Sequence, residues 1–187
     1  MDIVGTAVLS SLRSKGLDVE GSFVPYPANT PRDASTQQGA KQLASDMTKY
    51  ASQCSNQTFI LGGYSQGVIV IHRASLPQYI IKRIAAITVF GDPVPGNSFY
   101  PICEMRRVVA TCGNVDEWCN DPAKGPRNKE GGVQNLPGPG NHQDYGQKIA
   151  DDAVNAVMDS IKRPFSGTQC ALPPQPQIQF DPRLNFA

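Results

Sequence analysis

Histidine and tryptophan are scarce in this chain, with two of the first and one of the second among 187 residues. Net charge is almost absent as well, a formal +1 at neutral pH, which gives no reason to expect nucleic acid or an anionic membrane as partner. No apolar run approaches the ~20 residues that cross a bilayer. Met1-Asp2-Ile3-Val4 has neither the basic n-region nor the apolar h-region of an export signal. The five cysteines form no Cys-x-x-Cys pair and have no adjacent histidine set, which argues against zinc, and no metal site is expected. No internal repeat is visible. What is present, 40% apolar residues with 17 Gly and 16 Pro, fits one globular domain with many turns and a core of real size.

The stretch that organises the rest is Phe59-Ile60-Leu61-Gly62-Gly63-Tyr64-Ser65-Gln66-Gly67-Val68-Ile69-Val70. It reads as a strand, a sharp turn and a helix, with Ser65 at the apex. Gly63 and Gly67 flank the serine where a side chain is expected to collide with the backbone of so tight a turn. Gly-x-Ser-x-Gly alone is a common accident, but between a strand and a helix it has the form of a nucleophile elbow. The first N–H groups of the following helix lack internal partners and point to where an oxyanion would form. The N–H of Gln66 is therefore the first candidate for an oxyanion hole.

In chain order, Ile3 to Leu17 carries apolar residues at helical spacing, with Gly16 as a C-cap. Val19 to Tyr26 alternates loosely and predicts a short strand. Asn29 to Ser35 reads as a connection, and Gln37 to Tyr50 as a second amphipathic helix. The helix after the elbow stops near Pro77. Ile84 to Phe90 is a continuous apolar run, the pattern of a strand covered on both faces, and Arg107 to Thr111 is a further short strand. Pro122 to Asn141 reads as loop, and a last helix runs from about Asp144 to Ile161. Strands alternating with helices predict a parallel sheet with helices on both faces. Residues 1–163 form the expected domain, and 164–187 a Pro-rich extended tail.

A serine nucleophile needs a base, and the base needs an orienting acid. His72 lies two turns beyond Ser65 on the same helix, roughly 10 Å along its axis and out of reach, so it reads as a polar residue on a helix flank. His142 stands in a loop before the last helix, where α/β-hydrolases place the base. Asp92 and Asp116 both fit the order Ser, Asp, His. Asp92 could simply cap the Gly-Asp-Pro turn. Asp116 lies within Cys112-Gly-Asn-Val-Asp-Glu-Trp-Cys119, where a disulfide between the two cysteines would close a small loop and fix the carboxylate. On that ground Asp116 is preferred to Asp92. Trp118, beside this acid, either lines a substrate site or packs under the disulfide loop, and packing is the favoured reading. Asn56-Gln57-Thr58 fits an N-glycosylation sequon, relevant only on a secretory route.

Gly63-Tyr64-Ser65-Gln66-Gly67, Cys112-x-x-x-Asp116-x-x-Cys119 and His142-x-x-Tyr145-Gly146 together resemble the three signatures of the cutinase family, which includes acetylxylan esterases. The resemblance spans about residues 1 to 162. It implies a lidless α/β-hydrolase, a three-layer sandwich around a five-stranded parallel sheet. It also implies a secreted enzyme, here expected to be a monomer, that hydrolyses ester substrates, small or polymeric, through Ser65, His142 and Asp116 without a cofactor. Phe90-Gly91-Asp92-Pro93 and the context of His142 lean weakly to the acetylxylan esterase side.

Family members begin with a strand that precedes the helix at which this chain starts. The first strand, a second oxyanion donor from the loop after it and an export signal are thus expected to be missing here. Cys112 pairing with Cys119 and Cys103 with Cys170 would leave Cys54 over. A missing internal strand strips ladder hydrogen bonds from its neighbours at about 1–3 kcal/mol per buried group, against a total stability of roughly 5–15 kcal/mol. A lost oxyanion donor typically costs ~10²–10³ in rate. The alternative reading is therefore a protein of the same fold with weak or no catalysis, acting as a surface or effector protein.

Overall fold

The computed structural model describes residues 3–29, 32–94, 100–120, 133–138 and 140–163. Among these, four parallel strands form one sheet in the order β1 (Phe59–Tyr64), β2 (Ile84–Phe90), β3 (Val108–Gly113), β4 (Gln134–Gly138). Helices α1 (Ile3–Ser14) and α5 (Gln147–Lys162) cover one face. The other face is covered by α2 (Arg32–Gln53), α3 (Gln66–Arg73) and the short α4 (Gln78–Ile81). The result is the expected α/β three-layer sandwich.

Burial explains the layering. β2 is buried at six of its seven positions because it lies between β1 and β3 with helices on both sides, as its unbroken apolar run predicts. Leu61, Ile87 and Val89 face the layer of α2 and α3, where Met47, Val68 and Ile71 meet them. Ala86, Phe90 and Val109 face α1 and α5, whose Ala7, Leu12, Val154 and Val157 close that side.

Three readings are corrected. Val19 to Tyr26 forms no strand. Among the described residues β1 has a neighbour only in β2, so this segment has no ladder to join, although Val24 and Tyr26 still pack on the core. Second, α2 begins at Arg32, inside the stretch read as a connection. Arg73 fixes that first turn, because its guanidinium donates to the Asp33 carbonyl at 2.9 Å and to Thr36 Oγ1 at 2.9 Å and pairs with the Asp33 carboxylate. Third, Gln134–Gly138, read as loop, is strand β4, which lies at the edge of the sheet among the described residues. Pro137 hides it in the sequence, yet an edge position tolerates a residue that lacks an N–H. The expected tail, 164–187, lies outside the described residues.

Candidate active site

Ser65 sits between β1 and α3 with φ 50° and ψ −117°. A residue with a Cβ enters that left-handed region at about 1–3 kcal/mol. It occupies the N-cap position of α3, but its hydroxyl makes no capping bond. Instead Oγ lies 2.7 Å from His142 Nε2. A Cβ added at Gly63 would lie 2.8 Å from Ile71 Cδ1 and 3.1 Å from Val68 Cα, so the strand must be bare there for α3 to fold back on it. Gly67 differs from the expectation: the nearest atom to an added Cβ is the Tyr26 hydroxyl at 3.9 Å, and nothing collides. Tyr26 comes from the segment before α2, which arches over this end of the helix.

Nδ1 of His142 lies 2.9 Å from Asp116 Oδ2. Since a carboxylate only accepts, Nδ1 carries the proton and Nε2 is left to accept from Ser65. The loop holding His142 is pinned by Tyr64, whose hydroxyl donates to the His142 carbonyl at 2.6 Å and whose ring stacks on the imidazole with centroids 5.1 Å apart. Burial, and then the charge of Asp116, raise the Tyr64 phenol above its usual range, so it stays a neutral donor. Gly91, at φ 58°, lets the end of β2 approach the imidazole, since a Cβ there would lie 2.7 Å from His142 Cε1.

Asp116 is 1% exposed. Its carboxylate accepts from His142, from the Tyr145 hydroxyl at 2.7 Å and from the Trp118 N–H at 3.0 Å. The Tyr145 oxygen in turn accepts from the Gly113 N–H at 2.9 Å. Burial first, and then the bond to Asp116, push the Tyr145 phenol far above its ordinary range. Cys112 and Cys119 are disulfide-bonded with Cα atoms 5.9 Å apart, closing the loop around the acid. Donor atoms of Cys112, Asp116 and Cys119 converge within 4.8 Å. Both sulfurs are joined in the disulfide, however, and both carboxylate oxygens accept hydrogen bonds, so this cluster offers no metal site. Cys103 is disulfide-bonded, and its expected partner Cys170 lies outside the described residues. Cys54 is free and exposed.

Ser65, His142 and Asp116 thus meet from three separate segments, with the Gln66 N–H at the start of α3 beside them. The Gln66 side chain turns away and donates to the Asn29 carbonyl at 3.2 Å. His72 and Asp92 stand apart from this group. His72, read as a flank residue, is buried, and its Nε2 lies 3.0 Å from Asp92 Oδ2. The Tyr100 hydroxyl donates to the same oxygen. Asp92 also caps its turn, accepting from the Val94 N–H at 2.9 Å. Trp118, expected to pack under the disulfide loop, is only half-buried and lies beside the imidazole, ring centroids 5.9 Å apart. Tyr64 and Tyr145 went unread as site residues. Each stands inside a quoted motif, but only the fold shows what its hydroxyl reaches.

The cutinase family model matches residues 1–161. The chain belongs to the cutinase family. It is 33% identical over 116 residues to Cutinase cut1 of Trichoderma harzianum, covering 59% of this chain and 44% of that protein. It is also 33% identical over 99 residues to Carboxylesterase Culp1 of Mycobacterium tuberculosis, covering 51% and 46%. The chain thus spans about half the length of the curated relatives it matches. Among solved structures, the Trichoderma reesei cutinase in complex with a phosphonate inhibitor superposes with a TM-score of 0.61 at 27% identity, covering 86% of this chain and 67% of that one. An acetylxylan esterase superposes with a TM-score of 0.59 at 18% identity, covering 84% and 89%, and shares the fold. Among the described residues, no helix of this cutinase-family chain is long and apolar enough to cross a membrane.

Proposed function

We propose that this chain is a serine carboxylesterase that cleaves esters through an acyl-enzyme. The observation that carries the reading is the continuous relay Ser65 Oγ to His142 Nε2, 2.7 Å, and His142 Nδ1 to Asp116 Oδ2, 2.9 Å. Ser65 Oγ attacks the ester carbonyl carbon as its proton passes to Nε2. The oxyanion that forms faces the start of α3, where the Gln66 N–H is the donor. Collapse breaks the bond to the alcohol oxygen, which leaves with the proton from Nε2. Water then attacks the acyl-enzyme, giving its proton to the same nitrogen, and Ser65 departs with that proton as the acid is released. Asp116 keeps the imidazole in the productive tautomer and orientation.

Family membership supports ester hydrolysis, and the relatives named cutinase and carboxylesterase support cutin-like polyester and short-chain esters as substrates; acetylated polysaccharide completes the proposed range. A phosphonate has the tetrahedral shape of the acyl-transfer intermediate, so its complex with the T. reesei cutinase supports the same chemistry here. The Cys112–Cys119 disulfide supports action outside the cell. The proposal includes a monomer without cofactor, since acyl transfer through a serine, a histidine and an aspartate requires neither a metal nor an organic group. One observation favours the second reading, a weakly active surface or effector protein: among the described residues β1 is an edge strand and Val19 to Tyr26 joins no ladder. Hydrolysis of short-chain esters that disappears in Ser65→Ala supports the esterase; equal rates in the two proteins reject it.

A further inference from the structure

Trp118 is held at a defined place against the site. Its backbone N–H donates to Asp116 Oδ1 at 3.0 Å, the disulfide closes behind it at Cys119, and its ring lies 5.9 Å from the His142 ring at 51°. Its other neighbour comes from across the site. Arg32, in the first turn of α2, places its guanidinium 5.0 Å from the centre of the indole. That end of α2 belongs to the Gln66 side of the mouth, because Asn29 accepts from the Gln66 side chain and Arg73 of α3 fixes Asp33. The Arg32–Trp118 contact therefore joins the acid loop, at the residue beside the His142 ring, to the first turn of α2, which Arg73 ties to the helix that starts at the nucleophile.

The chemistry of the proposed reaction then says what this indole meets. His142 Nε2 returns its proton to the leaving alcohol, so the alcohol half of an ester lies on the histidine side of Ser65 and the acyl half on the other. We infer that Trp118, held by Arg32, forms the wall for the leaving alcohol and favours esters of alcohols with a flat apolar ring over esters of thin, straight ones. A guanidinium over an indole is an attractive contact that keeps the ring in place, and a fixed aromatic surface offers area at little entropic cost. The inference rests on the esterase reading above. Trp118 acts only while the alcohol is present, in acylation; hydrolysis of the acyl-enzyme takes place after the alcohol has gone.

The test compares two ester series on the 187-residue chain. One holds the acyl group as acetate and varies the alcohol through ethyl, hexyl and benzyl; the other holds ethyl and varies the acid through acetate, butyrate and hexanoate. Trp118→Ala is expected to lower kcat/KM for benzyl acetate about tenfold or more relative to ethyl acetate, and to leave the ranking along the acyl series as it is. Trp118→Phe keeps a flat ring and should recover most of the benzyl preference, while Arg32→Gln should weaken it part-way. A loss of the same size on every ester would mean that the indole only props His142 and Asp116, and would overturn the inference. So would a change that follows the acyl chain. Wild-type protein that hydrolyses none of these esters overturns the esterase reading and the inference with it, whereas hydrolysis with an unchanged alcohol profile in Trp118→Ala overturns the inference alone.

Discussion

Tyr145 Oη lies 2.7 Å from Asp116 Oδ2, the oxygen that also faces His142 Nδ1, and takes the Gly113 N–H on its far side. One hydroxyl therefore ties the segment leading into the last helix, the end of β3 and the acid together. Tyr145→Phe removes a donor from a buried carboxylate and leaves a buried N–H without its acceptor. Each such loss costs about 1–3 kcal/mol, and a looser Asp116 should lower kcat roughly ten- to a hundredfold with little change in KM. Urea unfolding and steady-state kinetics on the variant check both effects. Wild-type values would mean the hydroxyl is dispensable.

The two glycines of the elbow should behave differently. In Gly63→Ala the new methyl meets the Val68 backbone as well as the end of Ile71, so α3 must shift, at about 1–3 kcal/mol, and Ser65 moves with it. Gly67→Ala meets nothing within 3.9 Å and gains helix propensity, so its stability should stay within about 1 kcal/mol of wild type or rise. Thermal unfolding of the pair separates them.

Acid should strip a second polar cluster of its value. Burial alone would raise the Asp92 carboxyl, but the charge and hydrogen bond of His72, with the bonds from Tyr100 and Val94, bring it below its ordinary 3.8. A carboxyl lowered by folding contributes its stability in full above the ordinary value and loses it as pH falls through the lower, folded value. Tm should therefore fall below pH ~4. Asp92→Asn should cost about 3 kcal/mol at neutral pH, by removing the carboxylate that faces the buried His72, and should flatten that acid dependence. A parallel pH curve for the variant would contradict this.

The disulfide closes a short loop, worth about 2–3 kcal/mol in chain entropy, and it also frames the acid. Cys112→Ala with Cys119→Ala, which leaves the Cys103 disulfide intact, should lower Tm and should lower activity further than the stability loss alone requires, because Asp116 and Trp118 both sit in that loop. The check is kcat measured at a temperature where the double variant is still fully folded.

The elbow was legible because two periodicities meet at Ser65, a buried strand before it and an apolar helix face after it, and because Gly63 stands where the two cross. Asp116 was distinguishable from Asp92 only through its flanking cysteines. The Asp92 pairing could not be read, since His72 is twenty residues away on a helix face. The start of α2 was missed because Arg73, a tertiary contact, decides it. β4 was missed because Pro137 is a strand breaker anywhere but at an edge. The Val19 to Tyr26 segment carries a strand-like alternation but has no strand beside it among the described residues, and pairing outweighs propensity.

Ester cleavage by this chain requires Ser65 to be activated by His142, and covalent labelling by a fluorophosphonate reads that directly. Intact mass of the folded 187-residue chain should show one adduct, absent in Ser65→Ala and strongly slowed in His142→Ala, whose loss leaves the serine hydroxyl without a base. A folded chain that takes up no label, or labels equally without Ser65, would contradict it.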